Sequence, residues 1–255
     1  MTLTLTPLQG IPLVQPGDDI SNVIAEAISI SNLNLQDGDI LVVTQKIVSK
    51  SEGRFKNLAD VVPSQAAIEI ADTVEKDARF VELVLQESKS VLRMRPGTLI
   101  VEHKLGFVCA NAGIDHSNVQ SLGGNPEDWV LLLPENPDAS AKRIRNQINK
   151  LFGRSIAVLI IDSHGRAWRN GTVGVAIGFA GMPGLVDFRG KPDLFGYQLR
   201  VTLVAVADEL AAAASLLMGQ TVEFTPVIHV RGFPYPLRDG ELSELIRPKE
   251  LDLFR

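Results

Sequence analysis

A chain of 255 residues, 45% of them hydrophobic, is long enough to bury one large core or two modest ones. A net charge of −5 excludes a general nucleic-acid binder while leaving room for a local basic pocket. The single cysteine, Cys109, excludes an internal disulfide and suits a cytoplasmic protein; its apolar setting, "GFVCANAG", reads as inert packing.

The opening "MTLTLTPLQGIPLV" has no basic start and no long apolar run, so no signal peptide is expected. "ISNVIAEAI" puts Ile20, Val23, Ile24, Ala27 and Ile28 on one helical face, with Gly17, Asp18 and Asp19 as turn and cap. "DGDILVVTQKIVSK" reads as a turn and a strand. Lys46 and Lys50 fall on that strand or just beyond it, where a solvated edge is the plain interpretation. Residues 64–88 read as helix, in one piece or two, and "TLIVEHKLGFVCANAG" as a hairpin turning at Leu105-Gly106. "WVLLLPENPDASAKRIRNQINKLFG" is a strand, a Pro-rich turn and an amphipathic helix. "SIAVLIID" and "VGVAIGFAG" are strands, and "GFAGMPGLVDFRG" is a contact surface or a buried loop. The most apolar stretch, "VTLVAVADELAAAASLLMG", is interrupted by Asp208 and Glu209. It reads as a buried helix with a glycine cap rather than a membrane span. "FTPVIHVRG" supplies a late strand. Without a steady βαβ rhythm, the expected fold is α+β, a mixed sheet with helices. Residues 1–255 form one functional unit, with room for two interleaved lobes whose limits the sequence does not mark.

The chain has no GxxxxGK[ST] and no GxGxxG after a strand, so neither a P-loop nor a Rossmann fold is expected. It has no GxSxG elbow, and its four histidines lack zinc-site spacing. What remains is oxygen chemistry at the ends of apolar strands: Asp115, Ser117 and Asn118 after one, Asp162 and Ser163 after another. Such oxygens suit Mg²⁺ or Mn²⁺, which sit on one or two carboxylates plus substrate phosphates. An Asp-Ser pair after a strand is equally at home as a cap or an Asx turn. Arg166, Trp168 and Arg169 fit either a surface cluster or a multiply charged ligand.

Eight segments, in order over nearly the whole chain, resemble the coenzyme F420-0:gamma-glutamyl ligase family. They are "GIPLVQPGDD", "DGDILVVTQKIVSKSEGR", "GFVCANAGIDHSN", "LLPENPDASAKRIR", "VLIIDSHGRAWRNGTVGVAIGFAGM", "DFRGKPDLFG", "VTLVAVADELAAAASLLMGQ" and "PVIHVRG". The resemblance implies a GTP-dependent ligase that joins L-glutamate to the lactyl carboxylate of a deazaflavin precursor. The route is an acyl phosphate, with GDP and phosphate released and further gamma-linked glutamates as an extension. It implies Mg²⁺ or Mn²⁺, two per site, with K⁺ as a further ion. It also implies a homodimer with the site near the subunit boundary, while the charge and the interrupted apolar stretch leave no nucleic-acid or membrane partner expected.

Carried residue by residue, the resemblance assigns GTP contacts to Ile11, Pro12, Leu13 and Val14, then to Gln45, Lys46, Lys50 and Asn118. It continues them through Met218, Gly219, Gln220, Thr221, Val222, Glu223, Phe224 and Thr225. Asp115, Asp162, Ser163 and Gln220 would ligate metal. Gly165 would let the chain turn tightly, so that Arg166 and Arg169 face phosphate or substrate carboxylates. His116 stands where an acid is usual in the family, and His164 where an aromatic or apolar residue is. Both are candidates for the base that deprotonates the amine. Three other readings remain open: a ligase for a different carboxylate, a non-catalytic nucleotide-binding subunit, and a metal-dependent phosphohydrolase.

Overall fold

The segments fold around a five-stranded mixed sheet in the computed structural model, which describes residues 2–253. In chain order they form β1 (Thr4–Pro7), α1 (Ile20–Ile30), β2 (Ile40–Thr44), α2 (Gln45–Ser51), β3 (Phe55–Asn57), α3 (Gln65–Val74), α4 (Ala78–Gln86), β4 (Ser88–Arg95), β5 (Thr98–His103) and β6 (Val108–Ala110). The chain continues with β7 (Trp129–Leu131), α5 (Pro137–Phe152), β8 (Ala157–Arg166), β9 (Arg169–Ala180), β10 (Val186–Asp187), β11 (Leu203–Val204), α6 (Val206–Met218) and β12 (Val227–Arg231). The sheet order is β1-β12-β2-β8-β9, with β2 and β8 parallel and the other neighbours antiparallel. The α+β expectation holds.

Both faces of this sheet are covered, so its central strands are apolar on both sides. Leu41, Val43, Val158 and Ile160 face one way and pack with Ile24 and Ile28 of α1 and Ile144 and Ile148 of α5. Ile40, Val42, Leu159 and Ile161 face the other way and meet Ala207, Leu210, Ala211 and Ala214 of α6. Each buried Leu or Ile contributes about 1.5–3 kcal/mol of apolar transfer. The covering helices start as their sequences require. Asp19 accepts from the Ser21 and Asn22 amides, at 3.0 and 3.3 Å, to cap α1. Asn136 caps α5 ahead of Pro137, and Gly153, at φ +63°, ends it.

Between α2 and α5 the chain builds a third core, in which Ala67, Val74, Val81, Val84, Leu99, Val101 and Val130 are buried together. The β4-β5-β6 sheet and the β3-β7 pair frame it. Arg54 ties this region to the entry of α5: its guanidinium bonds Leu133 O, Glu87 and Glu135, each at 2.8 Å.

Helix α6 lies close enough to β9 that a Cβ on Gly174 would come within 2.6 Å of Ala211 O and 2.7 Å of Ser215 Cβ. Only glycine allows this approach.

Three expectations are corrected and one element is added. Gln45–Ser51 is a helix, because Ile47 and Val48 turn inward to the core instead of alternating, so Lys46 and Lys50 are not on a strand edge. Ser88–Arg95 is a strand paired to β5, an element that its mixed polarity concealed. Strand β8 runs on past Ile161 to Arg166, so Gly165 lies within it and the turn falls at Ala167 and Trp168. Helix α6 begins at Val206 rather than Val201, and its Leu216 is exposed. The 64–88 segment is two helices, and the "GMPG" stretch is a buried loop. No helix of the described residues is long and apolar enough to cross a membrane.

His103 closes β5 with its ring stacked on Phe107, centroids 5.2 Å apart. Its Nδ1 accepts the Leu105 amide at 2.9 Å, which places the proton of the neutral ring on Nε2. Burial, helped by the neighbouring charges, pushes its pKa down to about 4. The unfolded chain therefore binds this proton first, from about pH 6.5 downward. The stability owed to neutral His103 is complete above about pH 6.5 and lost as pH falls toward 4. Melting curves of His103→Asn should show a shallower loss of Tm across that window than the parent; equal slopes would refute the assignment.

Candidate active site

The parallel pairing of β2 with β8 ends at Thr44 and Ile161, so the carboxyl end of β2 lies beside the point where β8 continues without that neighbour. Ligand clefts form at such carboxyl ends. Here a cavity of about 730 Å³ opens there. Its wall contains Lys46 and Lys50 from α2, Asp115 and Asn118 from the loop after β6, Asp162 to Gly165 from β8, and Met218 to Pro226 after α6.

Two carboxylates from distant segments share this cavity. Asp115 is held by an antiparallel bridge to Leu131, with amide–carbonyl bonds of 2.9 Å in both directions. Its side chain forms an ion pair with Lys46 and accepts the Gln45 amide at 2.5 Å. Burial raises its pKa and the Asp162 charge adds to the rise, while Lys46 and Gln45 pull against both. Asp162 differs. Burial would raise its pKa, but the His164 hydrogen bond and charge hold it below the usual carboxylate value. His164 Nε2 lies 3.0 Å from Asp162 Oδ2, and its ring packs on Phe107 with centroids 5.2 Å apart. Burial, with the Lys46 charge beside it, lowers the pKa of Lys50. Ser163 Oγ lies 3.1 and 3.3 Å from the carboxamide atoms of Gln220.

The sequence-derived site residues thus meet in part. Lys46, Lys50, Asp115, Asn118, Asp162, Ser163 and the whole of Met218–Thr225 line one cavity, and Gln45 touches it through Asp115. Asn118 donates to Thr221 O at 3.4 Å across the mouth. Of Ile11 to Val14 only Leu13 reaches the wall; Ile11 and Val14 are buried in the core beside α1, where their apolar side chains are drawn. Arg166 and Arg169 are outside the wall, exposed at the tip of the β8–β9 hairpin, because β8 continues beyond the expected turn. His116 is likewise outside, its Nε2 lying 2.7 Å from Glu127 O. Thr44, Thr172 and Ser215 line the cavity without having been anticipated. Thr44 and Thr172 sit in strand pattern and Ser215 in a helix, so no local signal marked them.

The donor set fits a hard cation. Two carboxylates, a hydroxyl and a carboxamide oxygen face the space that Lys46 and His164 now neutralise. Among the described residues no three His, Cys, Asp or Glu side chains converge. Mg²⁺ commonly takes such a sparse set, completed by water and phosphate oxygens.

A family model for F420-0:gamma-glutamyl ligase matches residues 10–232. The chain belongs to this family. The coenzyme F420:L-glutamate ligase of Methanothermobacter thermautotrophicus is 46% identical over the full length of both chains. The proteins of the same name from Archaeoglobus fulgidus and Methanocaldococcus jannaschii are 42% identical over 100% of this chain and 97% of theirs, and 41% over 96% and 94%. Within the ligase family fold, the cavity walls come from segments more than 100 residues apart in sequence, Lys46 to Pro226.

Cation affinity should follow the two carboxylates. Calorimetric titration with Mn²⁺ should show Asp115→Asn and Asp162→Asn each weakening binding by at least about 10-fold. Parent-like affinity in either would remove that residue from the cation set.

Proposed function

We propose that the protein is a GTP-dependent ligase joining L-glutamate to the lactyl carboxylate of a deazaflavin precursor, coenzyme F420-0. The single observation that carries this reading is the pairing of Asp115 and Asp162 in one cavity with Lys46 and Lys50 on its wall. Family membership and the names of the relatives support the acceptor and the amino acid.

The chemistry follows from leaving groups. A carboxylate does not yield its oxygen to an amine at neutral pH. An oxygen of the acceptor carboxylate attacks the γ-phosphorus of GTP, and the bond to the β-phosphate oxygen breaks, releasing GDP. The glutamate nitrogen then attacks the acyl carbon, loses a proton, and phosphate departs. Such transfers depend on alignment and charge neutralisation more than on covalent help.

Asp115, Asp162, Ser163 and Gln220 would hold Mg²⁺ or Mn²⁺, which neutralise phosphate charge when bound. Lys46 and Lys50 sit one helical turn apart on α2 and present two ammonium groups to the same space. The loop from Met218 to Thr225 would embrace the nucleotide, braced by Thr225 Oγ1 donating to Leu217 O at 2.7 Å. His164, in the wall and bonded to Asp162, orients that carboxylate.

The protein would act as a homodimer. Residues 186–204 form an arm whose tip is rigid, since Asp193 Oδ1 accepts the Phe195 and Tyr197 amides at 2.8 and 2.9 Å. Leu194 and Phe195 are 97% and 96% exposed there, an ordered apolar tip suited to a second copy.

Incubation with GTP, Mn²⁺, glutamate and the glutamate-free precursor should give a product heavier by one or more glutamyl units, with GDP in step. GDP release without glutamate would indicate a phosphohydrolase, and GTP binding without turnover another acceptor or a non-catalytic binder. Asp115→Ala and Asp162→Ala should each lower turnover by at least about 100-fold with little change in Tm. Light scattering should show Phe195→Asp shifting the protein toward single copies; an unchanged mass would detach the arm from dimerisation.

A further inference from the structure

We infer that Phe107 is a positioning residue for the cation site and acts through His164: its ring fixes the tilt of the imidazole that bonds Asp162. The inference rests on the cation set assigned above and adds to it the support that one of its carboxylates requires.

Asp162 stands where β8 loses a neighbour. The pairing with β2 ends at Thr44 and Ile161, so from Asp162 to Arg166 the strand keeps β9 as its one sheet partner among the described residues. A two-stranded ribbon is marginally stable by itself. Yet the Asp162 side chain is only 11% exposed, and a cation ligand has to stay in one place. Support reaches this stretch from the β5–β6 hairpin, which sets Phe107 against His164 with ring centroids 5.2 Å apart and planes at 53°. Strand alternation puts His164 on the same face as Asp162, and its Nε2 lies 3.0 Å from Asp162 Oδ2. That hydrogen bond fixes one edge of the imidazole. The Phe107 contact fixes its tilt.

Phe107 is itself kept from yielding. His103 stacks on it with planes 11° apart, and the His103 amide donates to Phe107 O at 2.9 Å to close the turn. The residue type at 103 follows from both duties. Its Nδ1 accepts the Leu105 amide at 2.9 Å, which a carbocyclic ring could not do, while its ring face backs Phe107. The arrangement leaves His103 Nε2 buried without a hydrogen-bond partner among the described residues. An unmet buried donor is costly, so it persists where the geometry around it is demanded. The C-terminal segment seats the same turn. A Cβ on Gly106 would lie 3.6 Å from Ile246 Cγ2, and Lys249 Nζ pairs with the buried Glu102 at 3.0 Å. Position thus passes from the hairpin through Phe107 and His164 to the carboxylate.

Calorimetric titration with Mn²⁺ reads the cation site without substrate or turnover. Phe107→Leu should raise the Mn²⁺ Kd about 10-fold, the size of effect expected of a group that orients a ligand from behind. Phe107→Tyr keeps the ring face and should stay within about 3-fold of the parent. His164→Phe removes the bond to Asp162 and should itself weaken Mn²⁺ binding about 10-fold. In that background Phe107→Leu should add less than about 2-fold, because the two residues act in one line. An equal loss in both backgrounds would mean that Phe107 serves packing alone and overturns the inference. Parent-like Mn²⁺ affinity in Phe107→Leu or in His164→Phe overturns it as well. Should leucine lower Tm too far for titration, Phe107→Met fills the space without a flat face and takes its place in the cycle. A parent protein whose Mn²⁺ affinity survives Asp162→Asn overturns the cation set itself, which separates the two failures.

Discussion

The parallel pairing of β2 with β8 is the constraint on which the rest of the site depends. It aligns Thr44 with Ile161, so two chain segments over 100 residues apart part company at the same level. One then enters α2 and delivers Gln45, Lys46 and Lys50; the other stays extended and delivers Asp162 and Ser163. The pair is secured from both faces, by α1 and α5 on one side and α6 on the other. A register slip of one residue would exchange the two faces and scatter those functional groups.

Charge balance follows from that alignment. Two carboxylates in a partly desolvated cavity repel, and the protein answers with a lysine on one and a histidine on the other. The responses differ in sign: burial dominates at Asp115 and raises its pKa, whereas hydrogen bonding from His164 prevails at Asp162. Cys109, close by, shows what the same burial does without an opposite charge: with the Asp162 charge adding to it and only a Gly113 backbone hydrogen bond against it, its thiol is pushed up to about 12. The thiol is therefore inert, in keeping with its apolar sequence context.

Strongly patterned elements were legible from sequence. The α1 face from Ile20 to Ile28, its Asp19 cap, the hairpin at Leu105-Gly106 and the proline-started α5 follow from local rules that tertiary packing did not override. Residues 45–51 did not follow, because the run "VVTQKIV" has the β-branched composition of a strand and becomes helical only where the core receives Ile47 and Val48 together. The end of β8 was misplaced for a related reason. Gly165 is a plausible turn residue by itself, yet cross-strand pairing with Thr172 keeps it extended. The oxygen-bearing residues of the cavity were recognisable as types, but their meeting depends on long-range pairings, such as Gln45 with Asp115 70 residues on, which no local window contains.

The missing side chain at Gly174 carries a consequence for how this scaffold could diverge. Because backbone meets backbone there, the depth at which α6 sits is set by the sheet and not by the segment that follows the helix. The Met218–Thr225 segment is therefore anchored at a fixed origin and is exposed along much of its course. Its sequence is free to drift and retune what it presents to the cavity, while the floor beneath keeps its height. A single methyl group at position 174 would reverse that division of labour, making the position of every residue in the segment answerable to one crowded contact.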